Sequence, residues 1–164
     1  LKRFDVTLAG EITMDLVMYG LPEDLPLERE LLASGMAMTL GGSSAITAHN
    51  LASLGSKTGF IPQIASDPFT ELCLRPLRDA GVDLGNAVAP KKGVGTGVTV
   101  LLQHDHGRRA LTYSGTISAL RYEDLDLDYL ASGRHFHLCS YFLQSGLRDD
   151  VPKLLGTLRK AGLT

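Results

Sequence analysis

Gly41-Gly42-Ser43-Ser44-Ala45-Ile46-Thr47-Ala48-His49-Asn50-Leu51-Ala52-Ser53-Leu54-Gly55 is the stretch on which the reading of this chain turns. Paired glycines permit a tight turn and the close approach of a ligand. Ser43 and Ser44 are helix-capping residues, and the small apolar residues behind them suit a helix lying flat on a sheet. Gly55 supplies the stop. A helix that begins this way points unpaired N–H groups and a positive dipole end outward, so hydroxyls or anions are expected at its mouth.

Upstream, Phe4-Asp5-Val6-Thr7-Leu8-Ala9-Gly10 alternates and ends in glycine, the pattern of a first strand. Ligands of open α/β sheets gather beyond the carboxyl ends of strands, which makes Glu11, Thr13 and Asp15 candidates. Asp15 is favoured, because one carboxylate accepts hydrogen bonds from two adjacent hydroxyls. Between Leu16 and Leu40 the pattern is irregular, broken by Gly20, Pro22, Pro26 and Gly35 around a solvated loop. Met36–Leu40 reads as a strand leading into Gly41.

Downstream, Thr58–Ile64 suits a short strand, and Asp67-Pro68 opens a helix as cap and first-turn proline. That helix is expected to turn Phe69, Leu72, Cys73 and Leu77 inward, and Pro76 to kink or end it. Thr96–Leu102 and Arg109–Tyr113 flank a polar turn and predict a hairpin. Gly93, Gly95 and Gly97 precede a strand rather than a helix, so they form no dinucleotide loop, and a nicotinamide-dependent oxidoreductase has no support. The acidic run Arg121–Leu130 reads as a short exposed helical segment and Arg134–Cys139 as a strand. Asp149–Ala161 reads as an amphipathic helix with Val151, Leu154, Leu155 and Leu158 on one face. His104 with His106, and His135 with His137, each share a strand face, but neither pair has a third ligand in a recognisable motif. No metal site is assigned.

With 164 residues and 44% hydrophobic content the chain holds one core. A net charge of −2 gives no field for nucleic acid or an anionic membrane. No apolar run has the length of a membrane span and no leader pattern opens the chain, so the expected compartment is the cytoplasm. Cys73 and Cys139 stand far apart and are expected to be reduced and buried. Leu1 in place of methionine and a C-terminus that breaks off where a strand would begin lead us to expect a fragment.

The diglycine stretch, continued through Gly59-Phe60-Ile61 and Ala65-Ser66-Asp67-Pro68-Phe69 to Leu77-Arg78-Asp79-Ala80-Gly81-Val82-Asp83, resembles the first signature of the ribokinase-like (PfkB-type) carbohydrate kinases. The resemblance implies an α/β sandwich with a mostly parallel central sheet and a small β-sheet lid built from about residues 16–40 and 96–114. It covers the N-terminal half of such a domain. It implies that Asp15, five residues after Gly10, holds sugar hydroxyls. Thr13 stands where ribokinase has an asparagine, and Gly41, Gly42 and Ser43 line the substrate. It also sets Ser140-Tyr141-Phe142-Leu143 at a strand end near the substrate. Two positions depart from the family: Ser44 replaces a glycine, and Ile46 replaces an asparagine that contacts the sugar. Isoleucine offers no hydrogen bond.

The resemblance further implies transfer of the γ-phosphoryl group of ATP, as its Mg²⁺ complex, to a hydroxyl of a sugar-like small molecule. The family's catalytic aspartate lies in a later Gly-Ala-Gly-Asp motif absent from this sequence. No catalytic residue is therefore assigned, ATP and Mg²⁺ are expected on the missing C-terminal part, and the fragment alone is expected to be inactive. A homodimer through the lid is expected, since a sheet edge needs a partner. The alternative is a non-catalytic sugar-binding or regulatory relative, with Ile46 marking a lost polar contact.

Overall fold

The structure is a computed structural model that describes residues 2–164. In chain order its elements are β1 (Phe4–Gly10), β2 (Thr13–Tyr19), β3 (Gly35–Gly41), α1 (Ser43–Ser53), β4 (Thr58–Pro62), α2 (Pro68–Asp79), β5 (Gly97–His104), β6 (Gly107–Tyr113), α3 (Leu127–Ala131), β7 (Gly133–His137) and α4 (Val151–Lys160). Short 3₁₀ turns lie at Gly115–Ser118, Tyr122–Asp124 and Arg148–Asp150.

Two sheets result. The inner one is parallel, in the order β4-β1-β7, and the outer one is mixed, in the order β3-β2-β5-β6. In the outer sheet β2 pairs antiparallel with β3 and parallel with β5, and β5–β6 is a hairpin closed by Asp105 and His106. The expected parallel core sheet and separate small sheet are both present. The irregular reading of 16–40 overlooks β2, whose run Thr13-Met14-Asp15-Leu16-Val17-Met18-Tyr19 alternates less clearly because it is apolar on one face and only half-polar on the other.

Two apolar clusters flank the inner sheet. On one side Leu8, Ala45, Ala48, Phe60, Cys73 and Leu77 are buried where α1 packs on β1 and β4 and α2 packs on α1, β2 and β3. On the other, Phe4, Leu130, Phe136, Leu147, Leu154 and Leu158 unite α3, α4 and β7. Each fully buried aliphatic or aromatic side chain contributes roughly 1.5–3 kcal/mol.

Several helix details differ from expectation. Along α2 the buried residues are Thr70, Cys73, Leu74 and Leu77, while Leu72 is 41% exposed, because the helix turns its 72–76–79 face toward β3. Pro76 does not stop the helix at once; α2 runs on to Asp79 and ends there, within one turn of the proline. In α4 Leu155 is half-exposed, while Val151, Leu154 and Leu158 are buried. The acidic segment is not wholly exposed, since Leu125, Tyr129 and Leu130 enter the core. Cys139 is only half-buried. Among the described residues no helix is long and apolar enough to cross a membrane.

Candidate functional site

β2 of the outer sheet begins three residues after β1 of the inner sheet ends, so Glu11 and Ile12 form the passage from one sheet to the other. Side chains alternate across a strand, so Thr13 and Asp15 share a face. The Thr13 hydroxyl donates to Asp15 Oδ1 at 3.1 Å. Gly41 lies opposite Thr13 in the antiparallel ladder, and a methyl group on it would collide with both the Asp15 carboxylate and the Thr13 hydroxyl. Its glycine identity is therefore a matter of space: the three residues are in mutual contact, and nothing larger fits. Asp15 is half-buried, and burial pushes its carboxyl above the usual range against the opposing pull of the Thr13 hydrogen bond and the Arg108 charge.

The expected serine caps are absent. Gly42 itself is the N-cap of α1, at φ 86°, and neither serine caps through its side chain. The positive φ puts Gly42 in a region that suits glycine, and a Cβ would crowd the Glu11 backbone. Ser43, the first helical residue, is exposed, and Ser44 is fully buried.

What fills the helix mouth is the protein's own carboxylate. Glu11 is 3% exposed and accepts the Ser44 N–H at 3.1 Å, the Ser44 hydroxyl at 2.6 Å and the Ser140 hydroxyl at 2.6 Å. A negative charge at a helix N-terminus satisfies orphan amides and the dipole together. Ser140, just past β7, sits at φ 52°, a left-handed conformation uncommon for a residue other than glycine. Beside it Gln144, 1% exposed, donates its amide to the Cys139 carbonyl at 2.7 Å and leaves Oε1 without a protein partner.

Glu11 and Gln144 are the polar residues that sequence reasoning passed over in favour of Asp15. For Glu11 the signal was its place directly after the strand-ending glycine. For Gln144 there was none. Ser140 does stand at the strand end as expected, but Tyr141, Phe142 and Leu143 are exposed.

The α1 mouth does not fit the phosphates of a nucleotide. An anion there would meet Glu11, buried and without a cationic partner among the described residues. Among the described residues no group of three or more His, Cys, Asp or Glu side chains is placed to hold a metal ion. His135 instead pairs with the Thr164 hydroxyl and His137 with the Cys139 thiol.

Ile46 is 40% exposed and faces away from Asp15. With Met14, Leu40, Leu72 and Arg75 it lines a cavity of about 730 Å³ between β3, α1 and α2, to which neither Thr13 nor Asp15 contributes. The same cavity is lined by Thr39, His49, Asn50 and Asp79 as well, so its wall is mixed rather than apolar.

The base of the outer sheet is fastened by Asp67. Its carboxylate caps α2 through the Thr70 N–H at 3.1 Å and takes the Thr96 N–H and hydroxyl at 2.7 Å each, immediately before β5.

Comparison with known proteins gives one consistent result. A family model described as pfkB family carbohydrate kinase matches residues 3–164. A 5-dehydro-2-deoxygluconokinase of Geobacillus kaustophilus is 33% identical over 132 residues, 79% of this chain and 38% of the relative. A fructokinase of Escherichia coli is 34% identical over 124 residues, 74% of this chain and 40% of the relative. Among solved structures, a PfkB protein from Polaromonas sp. JS666 superposes with a TM-score of 0.82 at 23% identity, over 98% of this chain and 54% of that one. A fructokinase with bound ATP from Xylella fastidiosa gives 0.78 at 21% identity, over 99% and 50%. The chain spans less than half the length of the two sequence relatives and about half of each solved structure.

Proposed function

The chain belongs to the PfkB family of carbohydrate kinases, and from that premise we propose that the complete protein carrying it phosphorylates a hydroxyl group of a sugar or sugar-like molecule with ATP. The observation that carries this reading is the mutual contact of Thr13, Asp15 and Gly41. An ionised Asp15 accepts hydrogen bonds from neighbouring hydroxyls of a polyol. Thr13 holds one carboxylate oxygen in place, and the lack of a side chain at Gly41 leaves room for that carboxylate. The start of α1, with Gly42 half-buried and Ser43 exposed, supplies first-turn amides as donors beyond the one that Glu11 occupies.

The outer sheet acts as the lid over this substrate. ATP with Mg²⁺ supplies the phosphoryl group, held by residues outside this chain, which fits a helix mouth already occupied by Glu11. This chain contributes binding and orientation, without a residue that takes the hydroxyl proton. The protein works in the cytoplasm.

A homodimer through the lid is supported by the reverse face of the outer sheet. Strand register lines up Leu16, Met38, Val100 and Leu111 there, and Met38 and Leu111 are 45% and 60% exposed. Light scattering on the complete protein should give twice the chain mass.

The test of function is ATP consumption by the complete protein across a panel of sugars and sugar acids. Sugar-dependent turnover is expected. Ligand binding in calorimetry without turnover would instead favour a non-catalytic sugar-binding relative.

A further inference from the structure

One buried chain of hydrogen bonds ends on Asp67. The Ala65 N–H donates to the Thr70 hydroxyl at 3.1 Å, and the Thr70 and Thr96 hydroxyls stand 2.8 Å apart. The Thr96 hydroxyl gives its proton to Asp67 Oδ1, so Thr70 is the donor between the two threonines and every link points toward the carboxylate. Thr70 and Thr96 are 7% and 2% exposed, and the second carboxylate oxygen takes the Thr96 N–H. Both oxygens of Asp67 therefore grip one residue.

Thr96 in turn carries the first rung of β5. Gly97 follows it and lies opposite Thr13 in the parallel β2–β5 ladder, and two residues on Thr99 lies opposite Asp15. Helix α2 also holds β2 at this level, since the Cys73 thiol donates to the Thr13 carbonyl at 3.2 Å. From the other side Ile117 and the Ser114 carbonyl press on Gly97, within 2.9 and 3.0 Å of where a Cβ would stand. The roots of β2 and β5 are thus clamped side by side, one by Cys73 and the other by Asp67.

Resting on the reading of Asp15 as a hydroxyl acceptor, we propose that Asp67 is a positioning residue for the substrate: through Thr96 it fixes the root of β5 against Thr13, and with it the place of the Asp15 carboxylate. An asparagine at 67 can keep its oxygen on Thr70 and on the Thr96 hydroxyl, but it then turns an amide N–H toward the Thr96 N–H, donor against donor. The root of β5 shifts in response. A displacement of about 1 Å in a group that orients substrate costs up to about a hundredfold.

The complete protein is assayed for ATP consumption on a panel of sugars and sugar acids, as the parent and as Asp67→Asn, Thr96→Val, Thr96→Ser, Asp15→Asn and Val151→Ala. Val151 is buried in the cluster on the far side of the inner sheet and controls for lost stability alone. Asp67→Asn should raise the KM for sugar about tenfold and leave kcat and the KM for ATP within about twofold. Thr96→Val should raise the sugar KM as well, and Thr96→Ser, which keeps both donors, should recover most of the loss. Val151→Ala should lower the melting temperature and leave both KM values as in the parent. A sugar KM unchanged in Asp67→Asn, or raised as much in Val151→Ala, overturns the proposal while leaving the kinase reading intact. An unchanged sugar KM in Asp15→Asn overturns it together with the reading of Asp15. Should Asp67→Asn fail to fold, the two Thr96 variants decide by the same criterion. If nothing is turned over, the kinase reading fails and calorimetry on the same panel decides this one. A sugar bound more weakly by Asp67→Asn than by the parent and Val151→Ala sustains it; equal binding to all three, or none, overturns it.

Discussion

Thr13 and Asp15 stand two residues apart on one strand, joined by a 3.1 Å hydrogen bond across the bare backbone of Gly41. The carboxylate pays for this position: burial raises its pKa, and the threonine hydroxyl and the Arg108 charge offset only part of the rise. A folded-state pKa above the unfolded value means that the group favours folding while protonated and costs stability once pH climbs through the folded value.

Asp15→Asn should therefore raise the melting temperature slightly at neutral pH, with the gain fading below the usual carboxylate range. It should also weaken substrate binding about tenfold to hundredfold, through loss of a charged acceptor. Thermal melts at several pH values and the KM of the complete protein measure the two effects. An unchanged KM would remove Asp15 from the site.

Gly41→Ala should destabilise the protein by about 1–3 kcal/mol, the usual cost of forcing a methyl into filled space. The strain falls on Asp15 and Thr13, so substrate binding should weaken as well. Urea unfolding gives the first quantity. Gly55→Ala is a useful contrast, since no atom lies within 4 Å of a Cβ there and any cost comes only from its φ of 90°.

Asp67→Asn keeps an oxygen that can cap α2 but loses the second acceptor and the charge that hold Thr96, and should cost about 1–3 kcal/mol. Desolvation opposes ionisation of Asp67, but the donations from Thr96, Thr70 and Phe69 outweigh it and its pKa is lowered. Stability from this carboxylate is thus present above the unfolded value near pH 4 and lost as pH falls through the lower folded value. Unfolding midpoints of parent and variant should converge in acid; a constant gap would refute the ionic contribution.

The two thiols should differ in reactivity. Cys73 is fully buried, donates to the Thr13 carbonyl at 3.2 Å and has its pKa pushed up to about 12 by burial and by the charges of Asp15 and Asp67. Cys139 is half-buried, with a pKa also raised chiefly by burial. An alkylating reagent at mildly alkaline pH should label Cys139 first and Cys73 only when urea opens the fold, as mass spectrometry of the peptides would show.

The elements legible in the sequence are those written in local chemistry. β1 has the bounds its alternation predicts, and α2 begins at the Asp67-Pro68 cap. The β5–β6 hairpin forms where two β-rich runs meet a polar turn. The diglycine reading located α1 but mistook its cap, because Ser44 spends its hydroxyl on Glu11, a partner 33 residues away that no local pattern reveals. Leu72 was misjudged for a related reason. Helical periodicity says that a stripe is apolar, and only the neighbouring elements decide which edge of it is covered. In the site, Asp15 with Gly41 followed from spacing and resemblance. The occupation of the helix mouth by Glu11, with Ser140 and Gln144 alongside, depends on β7 reaching the same corner from the far end of the chain.

The parallel pairing of β2 with β5 has a consequence for assembly. Thr13 must wait for Gly97, and Val6 for His135, before either sheet is complete. Until then the β2–β3 ribbon has only α2 packed on it, and Met36 and Met38 are exposed even in the finished fold. Pairings so distant in sequence form slowly, because the entropy of closing a long loop comes before its reward.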